Sequence, residues 1–152
     1  MLRKKTVVLA ALCLVVPAAL AQAPALKPET QVKLRQAAYD MMNYALGGLD
    51  AMVEGKRPYD RDEAGRLADL LAQTAQFPRR FFGEGTGEGK TRAKPEIWTH
   101  RADFDAKMDE MVTEAAKLPA AARGGNLAAL KSQVNAVGDA CDQCHDNYRV
   151  KR

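Results

Sequence analysis

The chain is poor in the side chains that most often do chemistry. Its 152 residues include two histidines, three cysteines and one tryptophan, and only 6% are aromatic. A tetrahedral zinc site needs four N, S or O ligands. With one histidine, His100, outside any motif and no second cysteine pair, the chain offers too few. Three cysteines cannot build a disulfide framework. No stretch alternates as a strand, and no segment repeats. The one long apolar run, at the N-terminus, gives way too soon to polar residues to make a good membrane anchor.

That run has the layout of an export leader. Arg3, Lys4 and Lys5 precede an apolar stretch from Thr6 to Leu20, and Ala19-Leu20-Ala21 is a small-x-small cleavage site. Residues 1–21 therefore read as a cleaved signal peptide, with Cys13 as leader filler, and residues 22–152 as one mature domain. The leader takes three basic residues and no acids with it. The mature 131 residues keep 20 basic against 19 acidic, so the chain's net charge of +4 falls to +1. A balance this even excludes nucleic acid and anionic lipid as charge-driven partners.

What the chain does have lies at its end. Cys141-Asp142-Gln143-Cys144-His145 is a C-x-x-C-H stretch, the attachment signature of c-type haem. On a helix, residues three and four apart share a face. Both thiols can then form thioethers with the haem vinyl groups, and the imidazole lies beside them as an iron ligand. A redox dithiol normally opens a helix, whose N-terminus lowers the thiol pKa. Here the pair closes a long helical pattern.

Four amphipathic segments precede or contain this motif. The first starts at Lys27-Pro28-Glu29-Thr30 and ends at Gly55, with Leu34, Ala38, Met41, Met42, Ala45, Leu49 and Met52 expected inward. The Gly47-Gly48 pair weakens it, as close approach by a neighbour would require. The second is capped at Asp60, presents Leu67, Leu70, Leu71 and Ala75, and stops before Pro78. The third runs from about Thr99 to Leu118, with Phe104, Met108, Met111, Val112 and Ala115 inward. Asn126 caps the fourth, whose stripe of Leu127, Leu130, Val134 and Val137 leads to Cys141. The pattern predicts an all-α, antiparallel up-down-up-down four-helix bundle, with covalently attached haem between the fourth helix and the first.

Between the second and third helices, Gly83 to Thr91 ends in Gly-Lys-Thr like a phosphate-binding loop. The first glycine of that pattern would fall at Glu84, no strand precedes it, and two carboxylates within it repel phosphate. It reads as a flexible surface loop.

Arg35-Gln36-Ala37-Ala38, Pro58-Tyr59-Asp60, Lys94-Pro95-Glu96-Ile97-Trp98 and the terminal run from Cys141 to Arg149 together resemble the cytochrome c prime family, over nearly the whole mature chain. The resemblance implies a periplasmic haem protein, commonly an antiparallel homodimer, with one covalent haem c and His145 as the only protein ligand to iron. It places Tyr39 over the opposite axial face and makes Gln36 and Thr91 contacts of the haem edge. It also suggests that NO can displace His145.

Arg35, Tyr39 and Met42 share a helical face. Arg35 reads equally as a partner for a haem propionate or as a solvated surface arginine. Tyr39 reads as a bulky lid or a core tyrosine, and Met42 as core filler that rivals Tyr39 for the sixth position. Arg149 follows His145 by one turn, either against the proximal face or as a cation at the helix C-terminus. Trp98 and His100 read as packing and as a solvent-facing residue at the start of the third helix.

The expected function is that of a non-enzymatic haem protein with five-coordinate high-spin iron, binding NO or CO, transferring electrons to a periplasmic redox partner, or both. The alternative is a six-coordinate low-spin electron carrier of the same fold. A peroxidase would want a distal acid–base group, and neither His100 nor Tyr39 suits.

Overall fold

The computed structural model describes residues 26–151; the expected leader and its cleavage point lie outside the described residues. Four long helices form the bundle: α1 (Pro28–Val53), α2 (Arg61–Thr74), α4 (Arg101–Arg123) and α5 (Leu127–Tyr148). A 3-10 turn (Pro78–Phe81) and the single-turn α3 (Glu96–Thr99) interrupt the long connector between α2 and α4. Each bundle helix packs on the next in the chain, and α1 packs least against α5, where the bundle closes on itself. Among the described residues, no helix is long and apolar enough to cross a membrane.

Local signals set the helix ends. Pro28 and Glu29 occupy the first turn of α1, and Gly55 leaves its far end with a φ of 67° that other residues resist. The Asp60 carboxylate accepts hydrogen bonds from the Asp62 and Glu63 amides, each 2.9 Å, and so caps α2. Asn126 caps α5 by accepting from the Ala129 amide at 3.1 Å. The core joins Leu49 and Met52 of α1, Leu67 and Leu71 of α2, Phe104, Met108 and Leu118 of α4, and Leu130 and Val137 of α5. A Cβ on Gly48 would stand 2.7 Å from a Leu67 methyl, so that glycine lets α1 and α2 approach closely.

Four expectations change, the last of them in the connector. Leu34 and Met41 do not face the core but are 40% and 48% exposed, in a stripe with Tyr44 at 67%. Helical periodicity gave α1 two apolar edges, and the bundle covers only one. On α5, Leu127 is likewise 41% exposed, because the first turn overhangs the core. The third long helix does not stop at Leu118 but runs through Pro119 to Arg123. Proline removes one intrahelical hydrogen bond there. Burial of Leu118 and Ala122 and the Arg123–Asp69 ion pair to α2 hold the extra turn in place.

The glycine-rich connector is packed rather than loose. Thr86 is fully buried, and Trp98 lies against Gly87 and donates Nε1–H to the Phe82 and Gly83 carbonyls. The anchor is Arg35 of α1. Its guanidinium donates to the Phe81 carbonyl at 3.1 Å, the Thr86 carbonyl at 2.6 Å and Thr91 Oγ1 at 2.7 Å. It also lies 4.4 Å from the Phe82 ring centroid. Gln36, next to it, donates to the Lys90 carbonyl at 2.8 Å. The far end of the connector pairs with the end of α5 through an antiparallel bridge of Ala93 with Arg149.

Arg35→Ala leaves three acceptors without their donor, and each buried one costs about 1–3 kcal/mol. Denaturant unfolding should show a loss of about 2–4 kcal/mol, with proteolysis now cutting between residues 82 and 95. A loss within error of zero would mean that Arg35 does not hold the connector.

Candidate functional site

A cavity of about 1060 Å³ opens in the α1–α5 seam. Ligand pockets usually span about 300–1,000 Å³, so this one suits a large flat group. One wall is the last two turns of α5. Cys141, Cys144 and His145 all line it, as the three- and four-residue spacing requires, and all three are half-buried. The facing wall is α1, with Arg35, Gln36, Tyr39 and Met42. Its floor is apolar and aromatic: Phe82 and Phe104 meet edge-on at 4.9 Å between centroids, and Phe104 meets Tyr148 at 5.4 Å.

Burial sets the protonation of the wall. It pushes the Cys141 thiol up to about 11, with Asp142 and Cys144 adding to the shift. It pushes Cys144 up to about 11 as well, with Asp103 raising and Lys107 opposing. A redox dithiol needs the reverse, a lowered thiol pKa. Burial also lowers His145, and the Arg149 guanidinium lowers it further. Arg149 Nη1 lies 3.1 Å from Nδ1 and 3.2 Å from Nε2 of that ring. The imidazole is thus held neutral, the form in which it can bind a metal ion. Opposite, burial first and then the two thiols raise the Tyr39 phenol well above its ordinary value of 10. Tyr39 Oη donates to Met108 Sδ at 3.9 Å.

These features fit haem c. Two neutral thiols and a neutral imidazole stand together on one helical face, and an aromatic, apolar cavity lies in front of them.

All eight residues singled out in the sequence, Arg35, Gln36, Tyr39, Thr91, Cys141, Cys144, His145 and Arg149, line this one cavity. Met42 is buried at its wall. Arg35 is 2% exposed, which removes the solvated-surface reading. Thr91 reaches the cavity through its bond to Arg35. His100 is exposed, with its ring 3.1 Å from Thr99 Oγ1. The sequence did not mark Phe82, whose one signal was an aromatic ring in a polar loop. Nor did it mark the bond from the Tyr148 hydroxyl to the Asp103 carboxylate.

The profile of the family described as Cytochrome C' matches residues 30–149. The chain is 35% identical over 126 residues to cytochrome c' of Rubrivivax gelatinosus, covering 82% of this chain and 98% of that protein. It is 37% identical to cytochrome c' of Alcaligenes xylosoxydans, covering 83% and 98%. Among solved structures, cytochrome c prime from Shewanella frigidimarina superposes with a TM-score of 0.81 at 33% identity, covering 84% of this chain and all of that one. The nitric oxide complex of a cytochrome c prime variant from Alcaligenes xylosoxidans superposes at 0.78 with 36% identity, covering 85% and 100%.

A thiol about two units above its ordinary 9.0 carries roughly a hundredfold less thiolate at neutral pH. Because a high-pKa thiolate is also the better nucleophile, iodoacetamide should alkylate Cys141 and Cys144 of protein made without haem roughly tenfold more slowly than after unfolding. Reaction at the unfolded rate would show the thiols to be solvated rather than set in the wall.

Proposed function

The chain belongs to the cytochrome c' family, and from that premise we propose that it is an exported, periplasmic haem protein with one haem c. Cys141 and Cys144 supply the thioether sulfurs, and His145 the sole protein ligand to iron. Family membership also sets the broad class, a haem protein rather than an enzyme. Haem held by these residues would supply an iron that can take up NO or CO and exchange one electron.

The observation that carries the gas-binding reading is the wall facing His145. Tyr39 stands there as a neutral phenol, a poor metal donor, and apolar side chains surround it. A small uncharged ligand can displace a lid of that kind and needs no charged partner beside the Met108 and Tyr39 side chains. The nitric oxide complex of the Alcaligenes relative supports the same ligand class here. Burial, helped by Arg149 beside the ring, keeps the His145 imidazole unprotonated, and Arg149 places a cation next to it. Arg35, Gln36 and Thr91 fix the rim that the connector contributes. Met42 and Met108 also line the cavity, and they favour the second reading, a six-coordinate low-spin electron carrier.

The exposed Leu34, Met41 and Tyr44 stripe on α1 supports an antiparallel homodimer through that edge, because an apolar patch left in water marks an interaction surface.

Absorption spectra of the purified holoprotein decide between the readings. At pH 7 the ferric form should be high-spin, and the reduced form should bind CO; a low-spin six-coordinate ferric spectrum would remove the gas-binding reading. The raised Tyr39 pKa fixes the sign of the pH effect. The neutral phenol is favoured in the fold, so its contribution is complete below pH 10 and is lost only as pH rises through the higher folded value. No tyrosinate-to-iron band should appear up to pH 10. For the dimer, Met41→Glu should sediment as a monomer with an unchanged spectrum, and a wild-type chain that is already monomeric would refute that part.

A further inference from the structure

Two glycines sit mid-helix without the usual reasons for glycine. Gly47 lies in α1 and Gly138 in α5, where glycine weakens a helix relative to alanine. Neither has a positive φ. A Cβ on either would meet no atom within 4 Å, unlike Gly48 beside Leu67. What the two share is a groove of about 490 Å³ in the α1–α5 seam, which both line. The groove adjoins the cavity: Asn43, Leu46, Gly138 and Asp142 line both spaces. Its charged residues, Asp50, Asp139 and Asp142, are all acidic. Asp50 pairs with Lys56 at 3.5 Å, and Lys56 does not line the groove.

We propose that this groove is the entry passage for small uncharged ligands, held open by Gly47 and Gly138 and closed to anions by its carboxylates. The proposal rests on the gas-binding reading above and adds the route to it. The two glycines give up helix stability for empty space, and that space leads from solvent to the face of the cavity that α1 provides. The acidic lining selects against anions by charge repulsion and leaves a neutral diatomic unaffected.

A passage has a kinetic signature that a binding site lacks. An obstruction within it raises the barrier to entry and to exit equally, and leaves the bound and free states untouched. Association and dissociation then slow by one factor, and the Kd stays fixed. A change at the site itself alters the Kd.

Gly47 is the residue to vary, because it lines the groove and not the cavity. The reduced holoprotein is mixed with CO in a stopped-flow instrument, and dissociation is followed by displacement with NO. Gly47→Ala should be at least as stable as wild type and slow both rates slightly. Gly47→Phe should slow both by about tenfold, with unchanged Kd and unchanged ferric and ferrous spectra. Asn135→Phe, on the α5 wall of the same groove, should do the same and serves if the Gly47 variant does not fold. Rates equal to wild type in the phenylalanine variants overturn the passage, and so does a shift in Kd. If wild-type protein gives no spectral change with CO, the gas-binding reading itself falls. That result is separate from one in which CO binds but the variants leave its rates alone.

Discussion

Arg35 carries a full charge into a nearly water-free position, and the fold must satisfy it there. It does so with two carbonyls and a hydroxyl from the connector and with the face of Phe82. Hydrogen bonds from a charged donor are about twice as strong as neutral ones. The arrangement therefore works in both directions: the connector neutralises the arginine, and the arginine fixes the connector. Because the connector bridges to the end of α5 through Ala93 and Arg149, one guanidinium also ties together the two helices that face each other across the cavity. The bundle can leave that seam open without collapsing because something other than side-chain packing spans it.

The chemistry of the cavity follows from the same burial. Removing water from a thiol, an imidazole and a phenol shifts each toward its neutral form, up for the acids and down for the base. Cys141, Cys144 and Tyr39 move up and His145 moves down, all with desolvation as the main cause. One physical effect thus holds four groups of the cavity wall in their neutral forms. Arg149 adds a charge beside the imidazole and Arg35 one beside Tyr39, so each wall of the cavity carries a cation.

Much of this was legible in the residues. Caps at Asp60 and Asn126, the stop at Gly55 and the three-and-four spacing of apolar residues gave the helices, since each is a local signal. The C-x-x-C-H stretch pointed to the cofactor, because helical geometry alone puts its two thiols and its imidazole on one face. The misreadings share a cause. Leu34 and Met41 are apolar and correctly spaced, yet spacing does not say which of two apolar edges the bundle covers. The connector looked loose because glycine and charge usually mark loops; its order comes from an arginine 51 residues away from Thr86. Local pattern carries no information about a contact over that separation.

The sequence by itself determined that this chain is helical, that its fourth long helix ends in a haem attachment motif, and which face of that helix presents it. These are properties of neighbours within one or two turns, and helix geometry fixes them before any packing occurs. Only the tertiary structure decided that Arg35 is buried rather than solvated, that Tyr39 stands opposite His145, and that the seam between α1 and α5 stays open as far as Gly47. Those outcomes depend on how far apart two helices rest, and that distance is set by contacts between residues far apart in the chain.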